Sequence, residues 1–212
     1  MNIRIKKAMI YDLDNTLFPV SDIGEELFKP LFDKIEKHGV KDGEFTKIKK
    51  DLMRKPFQEV AYKYQFSEPL IDEGNRILTK LTYDKEIKLF EDYPAILELP
   101  GDRYLVTTGY KNMQNSKIEH LGILKDFVEI TVVDPSESDL TKKDIFYQIM
   151  EKNGYSPTDM MIIGDDPDSE IKAGQDLGIE TVLYYKLALT DLPTGATHVI
   201  NDFRELASIL LE

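Results

Sequence analysis

The sequence contains no cysteine. Disulfides, thiolate zinc sites and a cysteine nucleophile are therefore excluded. No apolar stretch approaches the roughly 20 residues of a membrane-spanning helix, so no membrane association is expected. The charged amino terminus (1–7) precedes an apolar run at 8–11 that is too short for a secretory signal. The expected location is the cytoplasm. Positive charge is also scarce: 27 Lys and Arg stand against 39 Asp and Glu, a formal charge of −12. Such a surface repels nucleic-acid phosphate, and no nucleic-acid polymer is expected as a partner. A small anionic ligand is still admissible, because a metal ion and a few local cations can reverse the field inside a pocket. Internal repeats and low-complexity tracts are likewise missing.

What remains is ordinary globular composition, 42% hydrophobic and 31% charged over 212 residues. That length suits one good-sized core, or a core with a modest insertion. The short apolar run Ala8-Met9-Ile10-Tyr11 ends in acidic, turn-forming residues and predicts a buried parallel strand. Further strands are expected at 104–107, 128–133, 160–163 and 180–184, with a weaker one at 198–200. Helical patterns lie between them at 112–121, 142–153 and 168–177, and a last one at 202–211 closes the chain. This alternation implies an α/β fold, a doubly wound parallel sheet covered on both faces. From about 18 to 92 the rhythm breaks into successive helices. Leu27, Leu31 and Ile35 share one helical face, and Val60 with Tyr64 and Ile77 with Leu81 repeat the spacing. Pro30 should kink the first of these helices or reset its start.

The chemistry collects at expected strand ends. Asp12-Leu13-Asp14-Asn15-Thr16 follows the first strand directly. In open parallel sheets ligands bind beyond the carboxyl ends of the strands, and two carboxylates two residues apart can both face one pocket there. A solvated acidic turn would also suit these residues. Thr107-Thr108-Gly109 ends the second strand, where a hydroxyl and the following amides can hold a phosphate oxygen, although Thr-Gly is also an ordinary turn. Lys142 and Lys143 begin a helix, an end that favours acids, so the pair is mildly unfavourable without a nearby anion. The fourth strand runs into Gly164-Asp165-Asp166-Pro167-Asp168-Ser169-Glu170, four acids in six positions from Asp165. Carboxylates are hard oxygen ligands suited to magnesium. Asp168 is also a plausible N-cap for the following helix.

Taken in order, these motifs resemble the haloacid dehalogenase superfamily: Asp-x-Asp-x-Thr, then Thr or Ser closing the second strand, then Lys, then an acidic pair after the fourth strand. The resemblance covers the chain outside the insertion. It extends to Glu170-Ile171-Lys172-Ala173-Gly174 and Asp176-Leu177-Gly178-Ile179. It implies a Rossmann-like core (1–17 and 92–212) with an inserted α-helical cap (18–91) that closes over the site. It also implies a phosphatase using Asp12 as nucleophile and Asp14 as acid/base. Thr107, Thr108 and Lys142 would bind the substrate phosphate. Mg2+ would be held by Asp12, the Asp14 carbonyl, Asp165 and Glu170, with Glu170 standing where Asp is commoner. Lys143 is the alternative to Lys142; Phe146, four residues on, favours Lys142.

By the same resemblance, dehalogenases lack the second acid and phosphonate hydrolases carry a small residue there, whereas phosphatases and phosphomutases keep Asp. The expected partner is a small phosphorylated metabolite, a nucleotide or a sugar phosphate. Asn15-Thr16-Leu17-Phe18-Pro19 resembles the opening of pyrimidine 5′-nucleotidase-like members, and phosphoglycolate phosphatases share much of it. Tyr62, Tyr64, Phe66 and Tyr83 could stack on a base or form cap core. A phosphomutase, a catalytically silent binding protein of the same fold, and a metal-binding domain built on the Asp165 run are the alternatives. His38, His120 and His198 lie far from the motifs and are assigned no catalytic role.

Overall fold

In the computed structural model of the chain, residues 6–40, 43–189, 191–192 and 195–210 are described. Six strands form one parallel sheet: β1 (Ala8–Tyr11), β2 (Asp102–Thr108), β3 (Glu129–Val133), β4 (Met160–Gly164), β5 (Glu180–Tyr184) and β6 (His198–Ile200), in the order β3-β2-β1-β4-β5-β6. Alternate side chains serve opposite faces, as the two-residue strand period requires. Met9, Tyr11, Leu105, Met161, Ile163 and Val182 enter one apolar core. Ala8, Ile10, Tyr104, Val106, Met160 and Ile162 enter the other. Both faces are covered, which is why these strands read as continuous apolar runs.

The second core is closed by α8 (Lys142–Asn153) and α9 (Lys172–Asp176), through Ile145, Phe146, Ile149 and Ala173. The first is closed by α7 (Lys111–Leu121) and α10 (Leu206–Ile209), and by the inserted helices. Those are α1 (Ser21–Leu27), α2 (Lys29–Lys37), α3 (Glu44–Leu52), α4 (Phe57–Lys63) and α5 (Glu68–Leu78), followed by the short α6 (Pro94–Leu97). Pro30 resets the helix: α1 stops at Leu27, and Pro30 sits in the first turn of α2, where its missing N–H costs nothing. Leu27, Leu31 and Ile35 are all buried across that break. The chain leaving the sheet and the chain returning to it meet where the Phe90 amide donates to the Leu17 carbonyl at 2.9 Å. Just beyond, buried Asp92 accepts from the Tyr184 hydroxyl (2.8 Å) and the Phe203 amide (2.9 Å), anchoring the return.

Two expectations are corrected. The segment 168–177 is a π-helical turn, Pro167–Ile171, running into α9, and its cap is Asp166, whose side chain accepts from the Asp168 amide at 2.9 Å. Pro167 at the first position fixes that register, so Asp168 lies inside the turn. The closing helix is shorter than 202–211: a 3-10 turn, Phe203–Glu205, leads into α10, and residue 211 lies outside the described residues. Among the described residues, no helix is long and apolar enough to cross a membrane.

Candidate active site

The strand order reverses direction around β1, which lies between β2 and β4, and a crevice opens beyond the carboxyl ends there. The pocket at this edge measures about 570 Å³. Asp12, Asp14, Thr107, Thr108, Lys142, Asp165 and Glu170 all line it, although they come from four separate stretches of chain.

Asp12 follows β1 and is fixed by its own amide, which donates to the Ile163 carbonyl of β4 at 3.0 Å. Its Oδ1 lies 2.5 Å from Lys142 Nζ, and Lys142 also reaches Glu170 Oε2 at 2.8 Å. Thr141 caps α8 in a reciprocal box with Asp144, which sets the helix start so that Lys142 turns inward. Lys143 turns to solvent and pairs with Asp176 at 3.2 Å. The anion that the paired lysines call for is thus the protein's own carboxylate cluster.

Thr16 Oγ1 lies 3.4 Å from Asp12 Oδ2 and 3.3 Å from Asp165 Oδ1, bridging the ends of β1 and β4. Glu170 is spoken for on both sides: Oε2 by Lys142, Oε1 by the Asp166 amide at 2.9 Å. At Gly164 an added Cβ would stand 2.2 Å from the Glu170 side chain, so glycine there makes room for the glutamate. Asp12, Asp165 and Glu170 can each place one oxygen within 4.8 Å of the others.

Three buried carboxylates share one ammonium, and their titration reflects it. Burial pushes Asp12 up to about 7 against the pull of Lys142, with Glu170 and Asp14 adding to the rise. Burial, then Glu170 and Asp12, hold Asp165 well above the ordinary carboxylate range. Burial would raise Glu170 too, but Lys142 and the Asp166 amide hold it below its usual value. Burial would lower Lys142, yet Asp12 and Glu170 keep it above an ordinary lysine. One ammonium against three carboxylates leaves the cluster short of positive charge, and its donors are hard oxygens. It therefore fits a divalent cation such as Mg2+.

On the β2 side, Thr107 Oγ1 accepts from Gln114 Nε2 at 2.7 Å, which leaves its own hydrogen free to donate. The Gly109 amide is spent on the Val133 carbonyl at 3.0 Å, so this amide is not available to a phosphate.

The sequence motifs did not include Gln114 and Lys117, both on α7. Gln114 Nε2 also lies 3.0 Å from Asp14 Oδ2, and Lys117 Nζ lies 2.9 and 2.8 Å from the two Asp14 oxygens. Nor did they include Tyr110, whose hydroxyl joins the strand-end loop to the inserted helices, accepting from Gln58 (3.0 Å) and donating to Asn75 (2.6 Å). The loop between α3 and α4 lays Arg54 and Lys55 along the opposite wall, and among the described residues no carboxylate is paired with Arg54. Gln114 and Lys117, spaced i, i+3 on α7, face inward through the packing of that helix against the core.

A parallel α/β core with an inserted helical cap, and carboxylates gathered at its switch point, defines a class of hydrolase. A family model described as haloacid dehalogenase-like hydrolase matches residues 9–184, and the chain belongs to that family. It is similar to a glyceraldehyde 3-phosphate phosphatase from Methanopyrus kandleri, 23% identical with 97% of each chain covered. It is also similar to an N-acylneuraminate-9-phosphatase from Rattus norvegicus, 25% identical, covering 96% of this chain and 93% of that one. Its fold matches a haloacid dehalogenase-like family hydrolase from Streptococcus pneumoniae with a TM-score of 0.73, at 20% identity over 97% of this chain and 98% of that one.

Proposed function

We propose that the protein is a magnesium-dependent phosphatase that hydrolyses a small phosphomonoester through a phosphorylated Asp12. The observation that carries this reading is the buried Asp12 carboxylate, held at 2.5 Å by Lys142 beside Asp165 and Glu170, with Asp14 two residues on in the same pocket. In this reading the core is 1–17 and 92–212 and the cap is 18–91, a division supported by the Phe90–Leu17 hydrogen bond.

Asp12, the Asp14 carbonyl and Asp165 would hold the metal, with Glu170 beside them. Bound there, it would offset the negative charge that otherwise keeps a carboxylate from approaching a phosphate. Lys142 and the Thr107 hydroxyl would hold the phosphoryl oxygens as charge shifts among them. An Asp12 oxygen attacks phosphorus and the bond to the leaving oxygen breaks, while Asp14 donates the proton that oxygen needs. In the second half, Asp14 takes a proton from water as that water attacks phosphorus, releasing inorganic phosphate and restoring Asp12. Phosphatases among the relatives support a small phosphorylated substrate, and Arg54 and Lys55 on the cap-side wall support an anionic one.

The test is phosphate release, with magnesium, from a panel of triose and sugar phosphates, phosphorylated acids and nucleotides. Acid-quenched protein should gain the mass of one phosphoryl group, and Asp12→Asn should not. No release from any member of the panel would overturn the reading. Conversion to an isomeric phosphate ester without release would identify a mutase.

A further inference from the structure

Lys117 is a lysine at 1% exposure, in a helix whose other buried residues include Met113, Ile118 and Leu121. Burying an ammonium costs several kcal/mol unless a partner offsets it, and an apolar side chain of similar volume would pack here without that cost. Among the described residues its only ion-pair partner is Asp14, and both Asp14 oxygens are engaged, at 2.9 and 2.8 Å. A carboxylate held by both oxygens cannot rotate freely about its terminal bond. The pair therefore sets the plane in which the remaining lone pairs of Asp14 face the pocket.

Gln114, one turn earlier on the same face of α7, adds a second restraint. It is completely buried, and its Nε2 lies 3.0 Å from Asp14 Oδ2, 2.7 Å from Thr107 Oγ1 and 3.3 Å from the Thr108 carbonyl. Its Oε1 is buried, with no donor among the described residues. Turning the amide over would set that oxygen against the Asp14 carboxylate, so Asp14 and Gln114 fix each other's orientation. Gly109 leaves the space: a Cβ there would lie 3.1 Å from Gln114 Cδ. One amide thus joins the carboxylate in the loop after β1 to the hydroxyl on β2.

We infer that Lys117, seconded by Gln114, is a positioning residue for Asp14, holding its carboxylate in register with the phosphate-binding hydroxyl of Thr107. This rests on the acid/base reading of Asp14 proposed above. Lys117 acts through Asp14 alone and exchanges no proton with substrate.

The test is a double-mutant cycle on single-turnover phosphate release with magnesium, using whichever phosphomonoester the wild type hydrolyses. Lys117→Met should slow the wild type by about 10²-fold, the scale of loss for a misplaced reacting group. In an Asp14→Asn background the same change should alter the rate by less than about twofold, because the residue it serves is already disabled. Lys117→Arg, which keeps the charge, should recover part of the rate, and it carries the cycle if the Met variant does not fold. Equal losses in both backgrounds would assign Lys117 to general packing and overturn the inference, as would an unaffected rate in Lys117→Met. The underlying reading fails differently: it falls if Asp14→Asn itself turns over at the wild-type rate.

Discussion

Lys142 Nζ stands 2.5 Å from Asp12 Oδ1 although 130 residues separate them, and both side chains are more than nine-tenths buried. Among the described residues, the adjacent Lys143 pairs only with the exposed Asp176. Successive helix residues point about 100° apart, so Lys142 turns in to the buried carboxylates and Lys143 stays at the exposed rim of the pocket. Lys142→Met is expected to reduce turnover by about 10²–10³-fold, the loss typical of removing a donor to a developing oxyanion. Lys143→Met should stay within about twofold of wild type, as an exposed ion pair contributes little. Steady-state kinetics of the two variants checks this, and a comparable loss in both would contradict it.

The titration of the cluster gives a pH dependence with a definite sign. Asp12 holds its proton to about pH 7 in the folded protein, against an ordinary value of 3.8. In the metal-free protein this group therefore contributes stability that is full below its unfolded value and is lost as pH rises through about 7. Asp165 is shifted the same way. Magnesium has to displace these protons, so its binding strengthens as they leave. The rise in melting temperature on adding magnesium should be larger near pH 8 than near pH 5.5. Thermal unfolding with and without the ion measures it, and a rise that is equal or larger at the lower pH would refute the linkage.

Asp165 and Glu170 should differ as metal ligands. Glu170 already accepts from Lys142 and the Asp166 amide, whereas among the described residues Asp165 Oδ1 has only the Thr16 hydroxyl at 3.3 Å. Glu170→Ala is expected to weaken magnesium binding by about 10–100-fold, the scale of a supporting residue, and Asp165→Ala by more. Magnesium titrations of both variants decide it, and the reverse order would make Glu170 the principal ligand.

Much of this arrangement was legible in the sequence because strands buried on both faces write themselves as apolar runs. Ala8–Tyr11 and Glu180–Tyr184 fall where the runs predict, whereas His198–Ile200, an edge strand with Val199 exposed, falls on the weaker signal its sequence carries. The residues that line the pocket from strand ends were legible for the same reason, since the edge of a parallel sheet is known once its strands are. The cap is Asp166 and not Asp168, and its sequence mark is Pro167, a residue suited to the first helical position. Gln114 and Lys117 were hidden for a deeper reason. They sit in mid-helix, where a polar pair ordinarily means a solvated face, and only the packing of α7 against the sheet turns that face inward.

The Asp14–Lys117 pair also makes a prediction about stability that is independent of turnover. Asp14→Ala removes the only ionic partner, among the described residues, of a lysine at 1% exposure. An ammonium left buried and unpaired is strongly destabilising, by about 3 kcal/mol for a pair of which one member is partly exposed. Asp14 is that member, at 26%. Adding Lys117→Met to Asp14→Ala removes the stranded charge and fills the same volume with apolar atoms, so the double variant should regain most of the lost stability. Lys117→Met alone should be milder than Asp14→Ala, because the Asp14 carboxylate it leaves behind still faces the open pocket and can be hydrated. Denaturant unfolding of the four proteins, metal-free at pH 7, measures all of these terms. The expected order is wild type and double variant above Lys117→Met, with Asp14→Ala lowest. A double variant less stable than Asp14→Ala would mean that Lys117 stabilises the fold through packing or contacts other than its ion pair with Asp14.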